Sequence, residues 1–585
     1  MRPFTYFRLA VFLLLPFLFS CRQQPASNTT TGTAKPEQRT VGTRGGKLVY
    51  RVTSPPKTFN YLLANDEPSI AMAFFLLNSR LVEFDHSTQT YVPGLAEAWT
   101  TSPDRRSVDI RLRDGLKFSD GQPLTSSDVA FTLEAIYDER NKAEVFRDAL
   151  LINGKPISVK VIDDRNLQFV VPETIAAPEN YLYNIAVLPR NALETDHKAG
   201  RLSEAWKITA PPASVISTGP FVVASAAAGE RMVLKRNPYY WKRDAQGTQL
   251  PYLDELTLEV IPDANQARVA LDQAKLDIMD RVRPTDYGSL LNAGGAVKAF
   301  DLGPSLAVDY IWFNLNPAKP DGTQLNPVKL AWFADARFRR AVSMAVDRDS
   351  IAKSTLQGLA TPLYGVVSPA NRIWANPDLP KIAYNLEQAA SLLKEAGFTN
   401  RGTDTAPELV DAQGNRVEFS LLVPTENEPR KLMAAVIQED LAKLGIKMQP
   451  VPIEFAAITN RWTKSYEYEA ILLGLSITDL EPSTYANLLL SSGDVHQWRP
   501  NQKSPSTEWE TKVDQLFAEQ ARESDPEKRK STFHEIQRIV ADASPVIPIV
   551  TRHVVSAANA RVGNFAPSPM FPYSMWNAEE LFIKQ

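Results

Sequence analysis

The sequence predicts a mixed α/β protein built from several domains. Its 585 residues exceed what one hydrophobic core supports, and roughly 100–200 residues per domain suggest two to four domains. Segments with alternating apolar residues, typical of half-buried strands, alternate with segments that begin at helix-capping residues. Hydrophobic residues make up 44% of the chain and charged residues 22%, which is the balance of a globular protein.

Residues 1–20 predict a signal peptide. Arg2 and Arg8 accompany an apolar run over 9–19, which is shorter than the roughly 20 residues that a membrane-spanning helix needs. Cys21, the single cysteine of the chain, follows directly. The stretch 18–21 resembles the bacterial lipobox, which implies that the Cys21 thiol is acylated and that Cys21 becomes the new N-terminus when 1–20 are removed. The alternative is a chance or buried cysteine.

Residues 21–45 contain few large apolar side chains and are predicted to be a flexible tether. Together with an acylated Cys21, the tether would hold the protein at the membrane, in the periplasm or at the cell surface. We therefore expect a folded protein outside the cytoplasmic membrane.

Individual elements follow from local patterns. Strands are predicted at 107–113 and 255–261, where every second residue is apolar. Asn385 predicts the start of one helix, and Asp525 followed by Pro526 predicts the start of another.

A βαβ unit is predicted in the second half of the chain. Strand-like runs at 417–423 and 446–453 flank a helical segment at 428–444. Such a unit connects parallel strands with a right-handed crossover.

Several classes of function are excluded or disfavoured. A net charge of −3 gives no basic surface for nucleic acid, and one cysteine permits neither an intramolecular disulfide nor a cysteine-based metal site. No phosphate-binding loop, dinucleotide fingerprint or nucleophile elbow occurs. His534 and Glu535 begin like a zinc-protease helix, but Arg538 stands where the second histidine is needed. We therefore predict no catalytic residues, no cofactor and no metal.

Several separated motifs resemble the extracellular solute-binding proteins of ABC importers, the family of the oligopeptide-, dipeptide- and nickel-binding proteins. The resemblance covers nearly the whole mature chain, and its strength comes from the order and spacing of the motifs. These motifs lie at 91–99, 110–121, 217–221, 235–241 and 335–348.

The resemblance implies a large periplasmic-binding-protein fold of type II, similar to cluster C, with two lobes around a cleft and an extra inserted domain. The implied boundaries are 46–88, 212–312 and 548–585 for lobe I, 89–211 for the inserted domain, and 313–547 for lobe II. Two crossover segments near 311–314 and 544–549 would form the hinge, with Phe313, Asn314 and Pro545 as hinge residues.

The resemblance also implies where a ligand binds. Peptide-binding members pair the ligand backbone with strand-like segments, and the matching segment here contains Gly474, Leu475 and Ser476. Gly474 permits close approach of a ligand backbone, or alternatively marks a β-bulge.

An aspartate of the peptide-binding relatives pairs with the α-ammonium group of the peptide, three residues before the acid that precedes a proline. Counting back from Glu481 gives Thr478, and the acid is displaced by one position to Asp479. All three residues are candidate ligand contacts. We expect Asp479 to pair with the ammonium group, or alternatively to cap a loop or form a structural ion pair. A shift of one residue in a strand turns a side chain to the opposite face, which leaves both readings open.

His496 and Trp498 lie near the cleft in the implied layout. Trp498 would stack on a ligand, and His496 would contact a carboxylate or, in a nickel-binding reading, a metal. A single histidine is more often structural, and no second histidine lies nearby in the sequence.

The predicted function is a lipid-anchored, monomeric, non-catalytic binding protein that delivers peptides to the permease of an ABC importer. One alternative keeps the fold and changes the solute to a metal chelate, an oligosaccharide or another small organic molecule. Another alternative is a secreted hydrolase, against which the missing catalytic motifs argue.

Overall fold

The structure, a computed structural model, describes residues 39–152, 154–227, 229–292, 295–403, 405–477, 479–493, 495–500 and 502–584. The predicted signal peptide, Cys21, Thr478 and the tether up to residue 38 lie outside these residues. In the described part of the chain, no helix combines the length and apolar character needed to cross a bilayer.

The strands are named in chain order. They are β1 Lys47–Val52, β2 Val82–Asp85, β3 Thr90–Pro93, β4 Ala96–Thr101, β5 Ser107–Leu112, β6 Ser158–Val161, β7 Asn166–Val170, β8 Phe221–Ala227, β9 Arg231–Arg236, β10 Glu255–Val260, β11 Ile278–Met279, β12 Val297–Pro304, β13 Val308–Phe313, β14 Ala360–Pro362, β15 Thr399–Asn400, β16 Leu409–Val410, β17 Glu418–Pro424, β18 Lys447–Ile453, β19 Ala470–Leu475, β20 Val546–Asn559, β21 Val562–Gly563 and β22 Phe582–Ile583.

The α-helices are named in the same way. They are α1 Glu67–Ile70, α2 Ser126–Tyr137, α3 Glu144–Ala149, α4 Pro178–Tyr183, α5 Arg190–Lys198, α6 Ala264–Asp272, α7 Pro284–Leu291, α8 Pro327–Ala334, α9 Ala336–Ala345, α10 Arg348–Ser350, α11 Leu386–Glu395, α12 Glu428–Ala442, α13 Phe455–Asn460, α14 Ala486–Leu489, α15 Glu508–Arg522 and α16 Pro526–Ala543.

The predicted α/β class and the predicted elements are confirmed. Strands β17 and β18 pair in parallel on either side of α12 in sequence, as the βαβ prediction requires. The side chain of Asn385 accepts a hydrogen bond from the backbone of Gln388 and caps α11. Asp525 caps α16, which starts at Pro526.

One sheet of twelve strands runs through both lobes. Its main order is β18-β17-β19-β13-β20-β11-β1-β10-β9-β8, and β12 and β14 also pair with β20. The 14-residue strand β20 changes partners along its length. Its first half pairs with β13 and β14, and its second half pairs with β11 and β12.

The partner change of β20 locates one connection between the lobes. Ile547 and Ile549 are buried in the lobe II core, whereas Val555 and Ala557 are buried in a lobe I core. The lobes therefore join at 551–553 of β20, and the second connection is the step from β12 to β13 at 304–308.

The predicted hinge residues lie inside lobe II, which corrects the prediction. Phe313 is buried and stacks on Phe333, and the Asn314 side chain donates to two backbone carbonyls of lobe II. Pro545 is buried just before β20 begins. An apolar strand sequence does not show which strands it pairs with, so the boundary could not be placed from the sequence.

The inserted domain is built on a separate antiparallel sheet with the order β4-β5-β7-β6. Its predicted start at residue 89 falls within a hairpin, because β2 and β3 pair with each other across the 85–90 turn. We therefore move the start of this domain to β4.

The last residues of the predicted tether pack against lobe I. Arg39 forms ion pairs with Asp85 and Glu580, at 3.2 Å each. The backbone of Thr40 exchanges hydrogen bonds with the Asn564 side chain. The folded part of the chain therefore includes residues 39–45, which the sequence assigned to the tether.

A candidate ligand cavity between the lobes

A cavity of about 370 Å³ lies between lobe I, the inserted domain and lobe II. Aromatic side chains dominate its lining, together with one carboxylate, that of Asp479. The lining residues are Ile70, Phe74, Phe75, Phe84, His86, Tyr91, Val145, Phe146, Ala149, Tyr183, Asn184, Asp479, Leu480, Met570 and Phe571.

Five parts of the chain build this lining, and one of them is the C-terminal segment of lobe I at 570–571. Phe74 and Phe75 lie on a π-helical turn, Ala71–Leu76, and the β2–β3 hairpin contributes Phe84, His86 and Tyr91. Helix α3 and the end of α4 supply side chains from the inserted domain, and the loop after β19 supplies those from lobe II. Because the cavity needs all of these parts, ligand binding there depends on the arrangement of the lobes.

The aromatic side chains form a connected wall. The ring centroids of Phe84 and Tyr91 lie 5.3 Å apart, and those of Phe74 and Phe146 lie 5.2 Å apart. Behind this wall, the Arg80 guanidinium lies 4.8 Å from the ring centroid of Phe75 and pairs with Glu83. The cation therefore supports the wall and has its own carboxylate partner.

Asp479 differs from the other acids near the cavity. Its Oδ1 accepts a hydrogen bond from the backbone of Glu481 at 3.0 Å, and within the described residues it forms no ion pair. Burial raises the pKa of this carboxyl above its usual value, and the backbone hydrogen bonds oppose this only in part. A half-buried carboxylate of this kind favours a cationic partner.

Glu481, predicted as a ligand contact, forms an ion pair with Arg529 at 2.6 Å. The guanidinium of Arg529 also lies 4.9 Å from the ring centroid of Trp374. This pair ties the loop that carries Asp479 to helix α16. We therefore assign Glu481 to positioning of this loop.

His86 is a neutral wall residue. Burial, followed by the nearby Arg80, lowers its pKa to about 3. Its Nδ1 lies 3.0 Å from the Ser568 hydroxyl, and its ring stacks on Trp576 with centroids 5.2 Å apart. At neutral pH the imidazole therefore adds no positive charge to the cavity.

Gly474 lies opposite Asp309 in the pairing of β19 with β13. A Cβ atom at Gly474 would lie 2.0 Å from the Val308 carbonyl and 2.9 Å from the Arg430 guanidinium. Arg430 pairs with the buried Asp309 carboxylate, which also pairs with Arg552. The glycine thus permits a close approach within the protein, near the connection between the lobes.

Leu475 ends β19, and Ser476 follows it in an exposed position. Neither residue lines the cavity described above. Backbone pairing of a ligand with this segment remains a prediction. Thr478 lies outside the described residues.

The predicted ligand contacts of His496 and Trp498 are not supported, because the two side chains are 0% and 1% exposed. His496 lies between the Leu488 carbonyl at 3.0 Å and the Glu510 carboxylate at 3.3 Å. The Trp498 indole donates to the same carboxylate at 3.4 Å. Both residues belong to the lobe II core.

Sequence reasoning missed the aromatic wall, because Phe74 and Phe75 lie in an apolar run that also suits a buried helix. The two adjacent phenylalanines gave no signal of a cavity. In the part of the chain that the structure describes, no group of three or more His, Cys, Asp or Glu side chains could hold a metal.

The sheet that continues through two lobes and the cavity between them define a two-lobed solute-binding protein. The family model for bacterial extracellular solute-binding proteins, family 5 (middle), matches residues 90–497. The chain therefore belongs to this family.

Similar proteins cover almost the whole chain. A probable ABC transporter-binding protein of Deinococcus radiodurans is 29% identical over 90% of this chain and 90% of its own length. The oligopeptide-binding protein AppA of Bacillus subtilis is 26% identical over 92% and 91%. The structure of AppA in complex with a nonapeptide superposes with a TM-score of 0.66 at 24% identity, and covers 93% of this chain and 100% of that chain.

Proposed function

We propose that the protein captures peptides in the cavity between its lobes and delivers them unaltered to the permease of an ABC importer. The observation that carries this proposal is the Asp479 carboxylate, which lines an aromatic cavity without an ion-pair partner among the described residues. The similarity to an oligopeptide-binding protein supports the choice of peptides among the solutes of the family.

The geometry suits the amino end of a peptide. An ammonium group beside Asp479 would donate a charge-assisted hydrogen bond to the carboxylate, in surroundings of low dielectric constant. The rings of Phe74, Phe84 and Tyr91 would contact the first side chain and would also attract a nearby cation. The cavity thus matches a ligand that is cationic at one end and apolar beside it.

The substitution Asp479→Asn tests the proposal by calorimetry with the tripeptide Phe-Ala-Ala and its N-acetylated form. A charge-assisted hydrogen bond contributes about 1.5–3 kcal/mol, so we expect the affinity for the free peptide to fall about 10- to 100-fold. The acetylated peptide should bind the parent protein weakly, and its affinity for the Asp479→Asn variant should be no lower.

The matched control is Asp114→Asn, since Asp114 lies in a turn of the inserted domain with 87% of its side chain exposed. This control should leave both affinities unchanged. Equal affinity of the Asp479→Asn protein and the parent for Phe-Ala-Ala would contradict the ammonium contact. Another solute co-purifying in native mass spectrometry, with no peptide binding, would contradict the peptide assignment.

We also propose that Cys21 carries the lipid that holds the protein outside the cytoplasmic membrane. The support is the position of this single cysteine directly after the predicted signal peptide. Mass spectrometry of the detergent-extracted parent protein should show a chain that begins at an acylated Cys21, and the Cys21→Ser protein should lack the acyl groups. A membrane-bound parent chain without acyl groups on Cys21 would contradict the proposal.

A further inference from the structure

The turn of the β2–β3 hairpin contacts lobe II directly. The Gln89 side chain donates from Nε2 to the Ala370 carbonyl at 2.8 Å and accepts at Oε1 from the Arg372 backbone at 3.1 Å. Arg372 in turn donates from its guanidinium to the Ser87 carbonyl at 2.8 Å. One lobe I turn is therefore joined to one lobe II loop by three hydrogen bonds.

These contacts adjoin the ligand cavity. The same hairpin carries Phe84, His86 and Tyr91 of the cavity lining. Gln89 is 4% exposed, and its Nε2 lies 3.8 Å from the sulfur of Met570, which is also a lining residue. The Asn371 side chain, between the two contacted residues of lobe II, donates to the Leu480 carbonyl next to Asp479.

The backbone of Gln89 adopts a conformation that its residue type disfavours. Its φ of 58° lies in the left-handed region, where glycine is favoured and a residue with a long side chain is uncommon. The turn itself is closed by the Gln89 N–H, which donates to the Asp85 carbonyl. Glycine would adopt this backbone conformation with less strain. We therefore attribute the role of the glutamine amide to its contact with the other lobe.

We propose that Gln89 is a latch between the lobes, a positioning residue that holds them closed around a bound ligand. This inference rests on the proposed function, because it requires a ligand in the cavity. In a protein that exchanges between open and closed forms, the apparent affinity equals the affinity of the closed form multiplied by the fraction of molecules that are closed. Loss of the latch therefore weakens binding without any loss of contact with the ligand itself.

The test is Gln89→Gly, which removes the amide and relieves the backbone. We expect the affinity for Phe-Ala-Ala to fall about 10-fold, as the loss of two hydrogen bonds implies, while Tm stays unchanged or rises. Gln89→Asn, whose side chain is shorter by one methylene but tolerates the left-handed region, should weaken binding similarly. By small-angle scattering, the ligand-free Gln89→Gly protein should have a larger radius of gyration than the parent.

The matched control is Gln357→Gly, since Gln357 has a φ of 55° and is exposed in lobe II. It should show the same direction of change in Tm and no change in affinity. If the parent protein binds Phe-Ala-Ala and the two Gln89 variants bind it equally tightly, the latch is overturned while the proposed function stands. If the parent binds neither this peptide nor a library of others, the proposed function itself fails.

Discussion

Two carboxylates of lobe II, those of Glu510 and Asp479, have similar chemistry and opposite surroundings. Glu510 accepts hydrogen bonds from His496, Trp498, Ser506 and the Thr507 backbone. Asp479 accepts from the backbone of its own loop and faces the cavity. The protein itself supplies several hydrogen-bond donors to the Glu510 carboxylate, whereas the Asp479 carboxylate can still accept hydrogen bonds from a ligand.

The pKa values follow this difference. Burial alone would raise the pKa of Glu510, but the hydrogen bonds from His496, Ser506 and Trp498 outweigh it and hold the pKa far below its usual value. For Asp479, burial prevails and the pKa is raised. A buried acid whose hydrogen bonds come from the protein itself contributes to the stability of the fold. An acid that keeps a raised pKa in a cavity is a candidate for a functional role.

The largest expected effect that tests this comparison is on stability. Glu510→Gln should lower the free energy of unfolding of lobe II by about 3 kcal/mol, because it removes the charge and places an amide NH₂ against the donors that now point at Glu510. Urea denaturation followed by tryptophan fluorescence would measure the loss. The ligand affinity of the Glu510→Gln protein, measured without urea, should not change.

Two substitutions serve as controls for that experiment. Glu519→Gln changes an exposed acid of the same helix, α15, and should leave stability within about 0.5 kcal/mol of the parent. Asp479→Asn should leave stability unchanged or raise it, since it removes a desolvated charge. A large loss of stability in the Asp479 variant would show that the two carboxylates do not differ as described.

A smaller effect is expected from pH. Because the pKa of Asp479 is raised, the affinity for free-amine peptides should begin to fall at a pH above the usual aspartate value of about 3.9 and should continue to fall towards acid. The loss follows from protonation of the carboxylate that pairs with the ammonium group, at up to about 10-fold per pH unit. Calorimetry between pH 4 and 7 would measure it.

The Asp479→Asn protein provides the reference for this titration, because its affinity should lack the acid-side decline. N-acetylated peptides should lack it as well. A decline of the same size in the variant would assign the pH dependence to another group, and would count against Asp479 as the ammonium partner.

The sequence predicted the elements more reliably than their assembly. Capping residues and alternating apolar residues depend on neighbours within one turn or one strand, so α11, α16 and the βαβ unit were placed correctly. The crossover was wrong, because the assignment of β13 to lobe II depends on its pairing with β19 and β20, which are far away in sequence.

The site shows the same limit. Asp479 was identified from a motif that local sequence carries, and the structure places it at the cavity. His496 and Trp498 have equally suggestive residue types, but both are buried in lobe II, where their ring nitrogens meet Glu510 on a helix that follows them. Phe74 and Phe75 could not be recognised, since only the facing lobe turns an apolar surface into a cavity wall.

Strand β20 bears on how this molecule could be made into an optical sensor. Its two halves are fixed in different parts of the sheet, so a domain rotation concentrates its change in backbone geometry at 551–553. Arg552 lies there with 36% of its side chain exposed. A fluorophore attached at this position would report on the backbone between the lobes and not on contacts within the cavity, whose lining does not include Arg552.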